Sequence, residues 1–214
     1  MPIESELKTE DQKNLARLGD IIVVALYEVD LDIILHGGTA LWRCYGGNRF
    51  SSDIDIYVTK SQLTKLNHYL TWSLNKRGVK INFPKYSSGR TMIIFDEVAK
   101  AKLEPMDKPA GLQAISMEYE KIDGTRLFVR TLKVDEFIKE KIKAYERRRY
   151  IRDLYDLYLL AGTEGFEKGV KSQLAKFIKR IEPPIDESVL QSMIYTGIAP
   201  TFNELVEKIG ERIK

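Results

Sequence analysis

Leu35-His36-Gly37-Gly38-Thr39-Ala40-Leu41, followed by Arg49-Phe50-Ser51-Ser52-Asp53-Ile54-Asp55-Ile56, is the stretch from which the fold is read. Two adjacent glycines at the end of an apolar run let backbone amides come close to a bulky anion. Residues two apart on a strand point to the same side, so Asp53 and Asp55 share a face while Ile54 and Ile56 turn to the core. A phosphate cradle beside paired carboxylates is the combination that nucleotide and Mg2+ chemistry needs.

Working outward, residues 9–28 carry apolar positions at helical spacing (Leu15, Leu18, Ile22, Val23, Leu26). A short apolar strand at 33–35 is broken by the two glycines, and Thr39 suits the N-cap of a short helix ending near Tyr45. The acidic strand covers 52–58, and a helix over about 61–76 is closed by Gly78. Further strands are expected at 79–83, 91–95 and 100–104, with a Tyr86-Ser87-Ser88-Gly89 turn between the first two and a last strand at 126–129 after Gly124. Beyond Thr131 strand signals stop, and helices are expected near 134–149, 151–161, 170–181 and 201–213. The expectation is an α/β (α+β) fold with a mixed sheet and flanking helices over residues 1–131, followed by a helical domain over 132–214.

The 214 residues, 43% of them hydrophobic, suffice for one substantial core with an attached helical lobe. With 34 basic and 31 acidic side chains the net charge of +3 is too small to argue nucleic-acid binding by itself. The single cysteine, Cys44, rules out an internal disulfide. No apolar segment approaches the roughly 20 residues that cross a bilayer, and the start of the chain lacks the features of a signal peptide. The expected location is the cytoplasm, with no membrane contact.

Metal chemistry on phosphates usually employs three carboxylates. Asp53 and Asp55 supply two. Glu104, at the end of Ala101-Lys102-Leu103-Glu104, where Pro105 is expected to stop the strand, is the best third, ahead of Asp96 and Glu97 in an expected turn. The three are expected to converge at the base of a cleft, opposite the diglycine bend. Arg49 suits either a phosphate contact or an ion pair bracing its loop, and Ser52 either a phosphate contact or an ordinary turn.

A second charged cluster lies downstream. Lys141, Arg148 and Arg152 are 7 and 4 residues apart, the spacing of one helical stripe that can grip a triphosphate or a polynucleotide backbone. Asp153 and Asp156 either pair with these cations or neutralise the following helix. His36 reads as a hydrogen-bonded structural histidine, His68 as a surface residue and Cys44 as packing. No zinc site, serine-histidine-aspartate arrangement or Walker loop is present in the sequence.

Together these segments resemble the nucleotidyltransferase toxins of the AbiEii/AbiGii type, within the DNA polymerase beta superfamily. Gly37 to Leu41, Arg49 to Asp55, and Lys141 to Ala144 with Arg148 to Leu157 carry the resemblance, over roughly residues 30–160. It implies that Asp53 and Asp55 bind Mg2+, that Gly38 and Thr39 hold nucleotide phosphates together with Gly37, that Lys141 contacts the triphosphate, and that Asp153 lies near the active site. It also implies a toxin with a cognate antitoxin, and an RNA acceptor, most plausibly tRNA, receiving NMP from NTP. Asp53, Asp55 and Glu104 are then the metal ligands, and Lys141, Arg148, Arg152, Arg49 and Ser52 the nucleotide contacts. A non-catalytic nucleotide- or RNA-binding module and a phosphotransferase are the competing readings. Residues past about 165 match nothing nameable, and Glu104 lies in a segment that aligns poorly.

Overall fold

The computed structural model describes residues 2–82, 91–163 and 167–214. The chain divides into two compact units, residues 1–46 with 50–131, and residues 47–49 with 132–214.

In the first unit, Thr9 caps α1 (Glu10–Glu28), its side chain accepting a hydrogen bond from the Gln12 amide. β1 (Ile34–His36) runs directly into α2 (Gly37–Cys44), and β2 (Asp53–Val58) leads to α3 (Lys60–Asn75). β3 (Lys80–Asn82), β4 (Met92–Phe95), β5 (Lys100–Asp107), β6 (Ala114–Glu120) and β7 (Arg126–Leu132) follow. The described strands form one mixed sheet in the order β3-β4-β5-β2-β1-β7-β6. β2 is central, antiparallel to β1 and parallel to β5. Its isoleucines, Ile54 and Ile56, are buried with Leu103 of β5, Leu35 of β1 and Leu18, Ile22 and Leu26 of α1. The mixed α/β fold expected from the sequence is the one observed.

Three details differ from expectation. β5 does not stop at Pro105 but continues to Asp107. Pro105 lies opposite Ile56 in the β2–β5 register, and among the described residues the β4–β5 pairing runs to Leu103. β6 was not anticipated, although Ile115, Met117 and Tyr119 alternate with Ser116, Glu118 and Glu120. Thr39 is not the N-cap of α2: His36 holds that place, and Thr39 lies inside the first turn. The expected turn at Tyr86-Ser87-Ser88-Gly89, and Phe83 of the expected third strand, lie outside the described residues.

The second unit contains α4 (Val134–Arg148), α5 (Ile151–Ala161), α6 (Lys168–Ile178), α7 (Leu190–Met193) and α8 (Phe202–Arg212). Thr201 and Glu204 form a capping box at the start of α8. The loop 47–49 is stitched to the segment before α8. The Asn48 side chain donates to the Thr196 carbonyl at 2.7 Å, and the Tyr195 hydroxyl donates to the Gly47 carbonyl at 2.7 Å. Arg49 forms an antiparallel bridge with Ile194. Among the described residues no helix is long and apolar enough to cross a membrane.

Candidate active site

β2 and β5 build an acidic face in the first unit. Their parallel register sets Asp53 beside Lys102 and Asp55 beside Glu104. Along both strands these four side chains are half-buried, while Ile54, Ile56, Ala101 and Leu103 on the opposite face are buried. Strand alternation thus places all three expected carboxylates on one side of the sheet.

They do not form a ready-made ligand set, however. Among the described residues no three His, Cys, Asp or Glu side chains gather into a group that could hold a metal ion. The expected convergence is corrected here: a cation, Lys102, stands beside the acids and engages Glu104. Its Nζ pairs with Glu104 Oε1 at 2.8 Å. The hydrogen bond to Glu104 raises the Lys102 pKa most, and attraction to Glu104, Asp53 and Asp55 adds to it. Lys102 was missed in the sequence, because its place beside Asp53 and Glu104 follows from the register of β5 against β2.

The diglycine lies against this face. Asp55 is opposite His36 across β1 and β2. Gly37 has φ +71°, and a Cβ there would overlap Oδ2 of Asp55 and stand 2.8 Å from its Cγ. Only glycine leaves the Asp55 carboxylate its place beside the first turn of α2, where the helix dipole favours a negative charge. Gly38 and Thr39 are buried in the same turn. The Thr39 hydroxyl donates to the backbone carbonyl of Asp53 at 2.5 Å, which ties α2 to β2. Ser52 is exposed, its hydroxyl 3.4 Å from Asp53 Oδ1. The buried His36 ring stacks on Tyr57 at 3.8 Å.

The cations expected at the site belong to the second unit. Asp153 and Asp156 of α5 are 0% and 1% exposed, with Arg49 at 5% and Lys141 at 4%. Arg49 grips Asp156 with two bonds, of 2.6 and 2.7 Å. Lys141 Nζ lies 2.7 Å from Asp156 and 3.7 Å from Asp153. Arg148 binds Asp153 through two bonds, of 2.7 and 2.8 Å. Burial penalises both the Asp156 carboxylate and the Arg49 guanidinium. Their attraction outweighs it, holding Asp156 below the usual carboxylate range and Arg49 above its own. Among the described residues, Arg49, Lys141 and Arg148 thus gather around Asp153 and Asp156.

Of the two uses expected for Arg49, this structure shows the bracing ion pair. Lys141 is enclosed by the two aspartates rather than presented to solvent. The single stripe expected for Lys141, Arg148 and Arg152 is also corrected. α4 ends at Arg148, Arg149 turns the chain with φ +50°, and Arg152 belongs to α5. Arg148 and Arg152 instead approach the ring of Tyr150, at 5.3 and 5.6 Å. The buried Nε of Arg152 has no hydrogen-bond partner among the described residues.

The family described as "Nucleotidyl transferase AbiEii toxin, Type IV TA system" matches residues 22–193, a span containing the acidic face and the buried ion network. The chain belongs to the AbiEii nucleotidyltransferase toxins. No curated protein matches this AbiEii chain significantly. Among solved structures it is similar to MenT4, a nucleotidyltransferase toxin from Mycobacterium tuberculosis (TM-score 0.66, 19% identity, covering 95% of this chain and 82% of that one). It is also similar to JHP933 from Helicobacter pylori (TM-score 0.65, 24% identity, 97% and 92% covered). The antibiotic-resistance factor ANT(2'')-Ia aligns over 79% of this chain and 94% of its own (TM-score 0.51, 16% identity). At these identities the likeness is one of fold. Family and fold together make the AbiEii chain a transferase.

Proposed function

We propose that this toxin transfers NMP from NTP to an RNA acceptor, tRNA foremost, in a Mg2+-dependent reaction in the cytoplasm, and that a cognate antitoxin restrains it. The observation that carries the reading is the placement of Asp53, Asp55 and Glu104 on one face beside the glycine turn that opens α2. Three hard oxygen donors on a half-exposed face, already attracting the Lys102 ammonium, are chemically suited to Mg2+. Asp53, Asp55 and Glu104 are its ligands in this reading. Bound there, Mg2+ supplies Lewis-acid stabilisation of the charge that develops on the phosphates.

The chain's own residues do the rest. Gly37 admits the Asp55 carboxylate and, with Gly38, brings backbone close to the nucleotide. Thr39 fixes that turn to β2. Ser52 is placed for a phosphate oxygen. Arg148 and Arg152 offer positive charge to phosphate, while Arg49 and Lys141 act through Asp156 and Asp153 to hold the helices that carry them. In the transfer the acceptor oxygen bonds to the α-phosphorus, the bond to the β-phosphate breaks, pyrophosphate leaves, and the hydroxyl proton passes to solvent.

The test is incubation of the purified protein with Mg2+, total RNA and each NTP labelled at the α- or the γ-phosphate. Label from the α position should enter RNA and label from the γ position should not. Asp53→Asn should lower the rate about a thousandfold, the several kcal/mol such a site supplies, without loss of fold. Transfer of γ-label would make the protein a phosphotransferase. Metal-dependent NTP binding with no transfer would make it a binding module.

A further inference from the structure

This inference rests on the metal reading above. Among the described residues, the acidic face carries the carboxylates of Asp53, Asp55 and Glu104 and the ammonium of Lys102. Lys102 reaches Glu104 Oε1 at 2.8 Å and is the direct neighbour of Asp53 across the β2–β5 register. The pair is half-exposed, with 40% of the lysine side chain and 34% of the glutamate side chain accessible. It is a single contact made by a flexible, strongly hydrated group, not a bidentate clamp. Such a contact holds the acids in check and is easily given up.

We infer that Lys102 is a resident countercation of the acidic face, one that a divalent ion must displace from Glu104 before all three carboxylates can bind it. With the ammonium in place, Glu104 is engaged, and no ligand group of three is assembled among the described residues. Without it, the face would lose that positive charge, which raises its attraction for a divalent cation and makes the cation-free state less stable. Lys102 is therefore a positioning residue that sets how tightly the site is loaded.

The experiment is titration with MnCl2 at fixed ionic strength, read by calorimetry and by the electron paramagnetic resonance of free Mn2+, with thermal unfolding measured with and without the ion. Lys102→Met should bind Mn2+ about fivefold more tightly than the natural chain, the upper value for an exposed ion pair. Its cation-free Tm should fall, and Mn2+ should raise that Tm by more than in the natural chain. Lys102→Arg, which keeps the charge, should stay within about twofold of the natural affinity. Lys102→Gln provides the same comparison if the methionine variant does not fold. If the natural chain binds Mn2+, loses it in Asp53→Asn, and Lys102→Met and Lys102→Gln bind no more tightly, the countercation role is wrong and the metal site stands. If none of these proteins binds Mn2+, the metal reading fails and this inference goes with it.

Discussion

At the scale of single residues, Gly37 shows how little freedom the site has. Its φ of +71° and the Asp55 carboxylate packed against its Cα both exclude a side chain. Gly37→Ala should cost about 1–2 kcal/mol from the left-handed backbone alone, with a further loss from the overlap with Asp55. Urea unfolding measures the first effect. Loss of transferase activity in whatever fraction still folds would show the second, and full activity would contradict the role assigned to Asp55. The adjacent glycines and Asp53-x-Asp55 were legible in the sequence because each depends on local geometry: a turn needs a residue without Cβ, and a strand alternates its faces. Lys102 was not legible as part of the site, because its meaning depends on the register of β5 against β2.

At the scale of elements, the α4–α5 pair is held by a buried ion network instead of presenting a row of cations. The Arg149 turn, with φ +50°, breaks the stripe, and of the two uses the sequence offered for Asp153 and Asp156 the structure shows pairing with the cations. Removing one partner of a buried pair leaves charge uncompensated, so Asp156→Ala should destabilise the protein by about 3–5 kcal/mol in urea unfolding. Asp156 titrates below its ordinary range in the folded state. Its contribution to stability is therefore present above about pH 4, the unfolded value, and is lost as pH falls through the folded value. Asp156→Asn should flatten the acid limb of a stability-against-pH curve, and an unchanged limb would contradict the pairing. The helices over 151–161 and 134–148 were readable from apolar periodicity. α7 was not, being only four residues long.

At the scale of the whole molecule, the division into units does not follow chain order strictly. Gly47–Arg49 leave the first unit, join the second and are tied to residues 194–196. Arg49→Met should therefore lower amide-exchange protection in α4 and α5 while leaving protection of β2 and β5 near that of the natural chain, as expected when two units open separately. Equal loss in both would show that they open as one. The sequence by itself determined the α/β class, most of the helices, the glycine turn and the common face of Asp53 and Asp55, since periodicity and backbone sterics act over a few residues. Only the tertiary structure decided that Lys102 stands among the acids, that Arg49 serves Asp156 across more than a hundred residues, and that Lys141 is enclosed. The electrostatic state of a charge depends on which charges surround it in space, and spacing along the chain does not specify that.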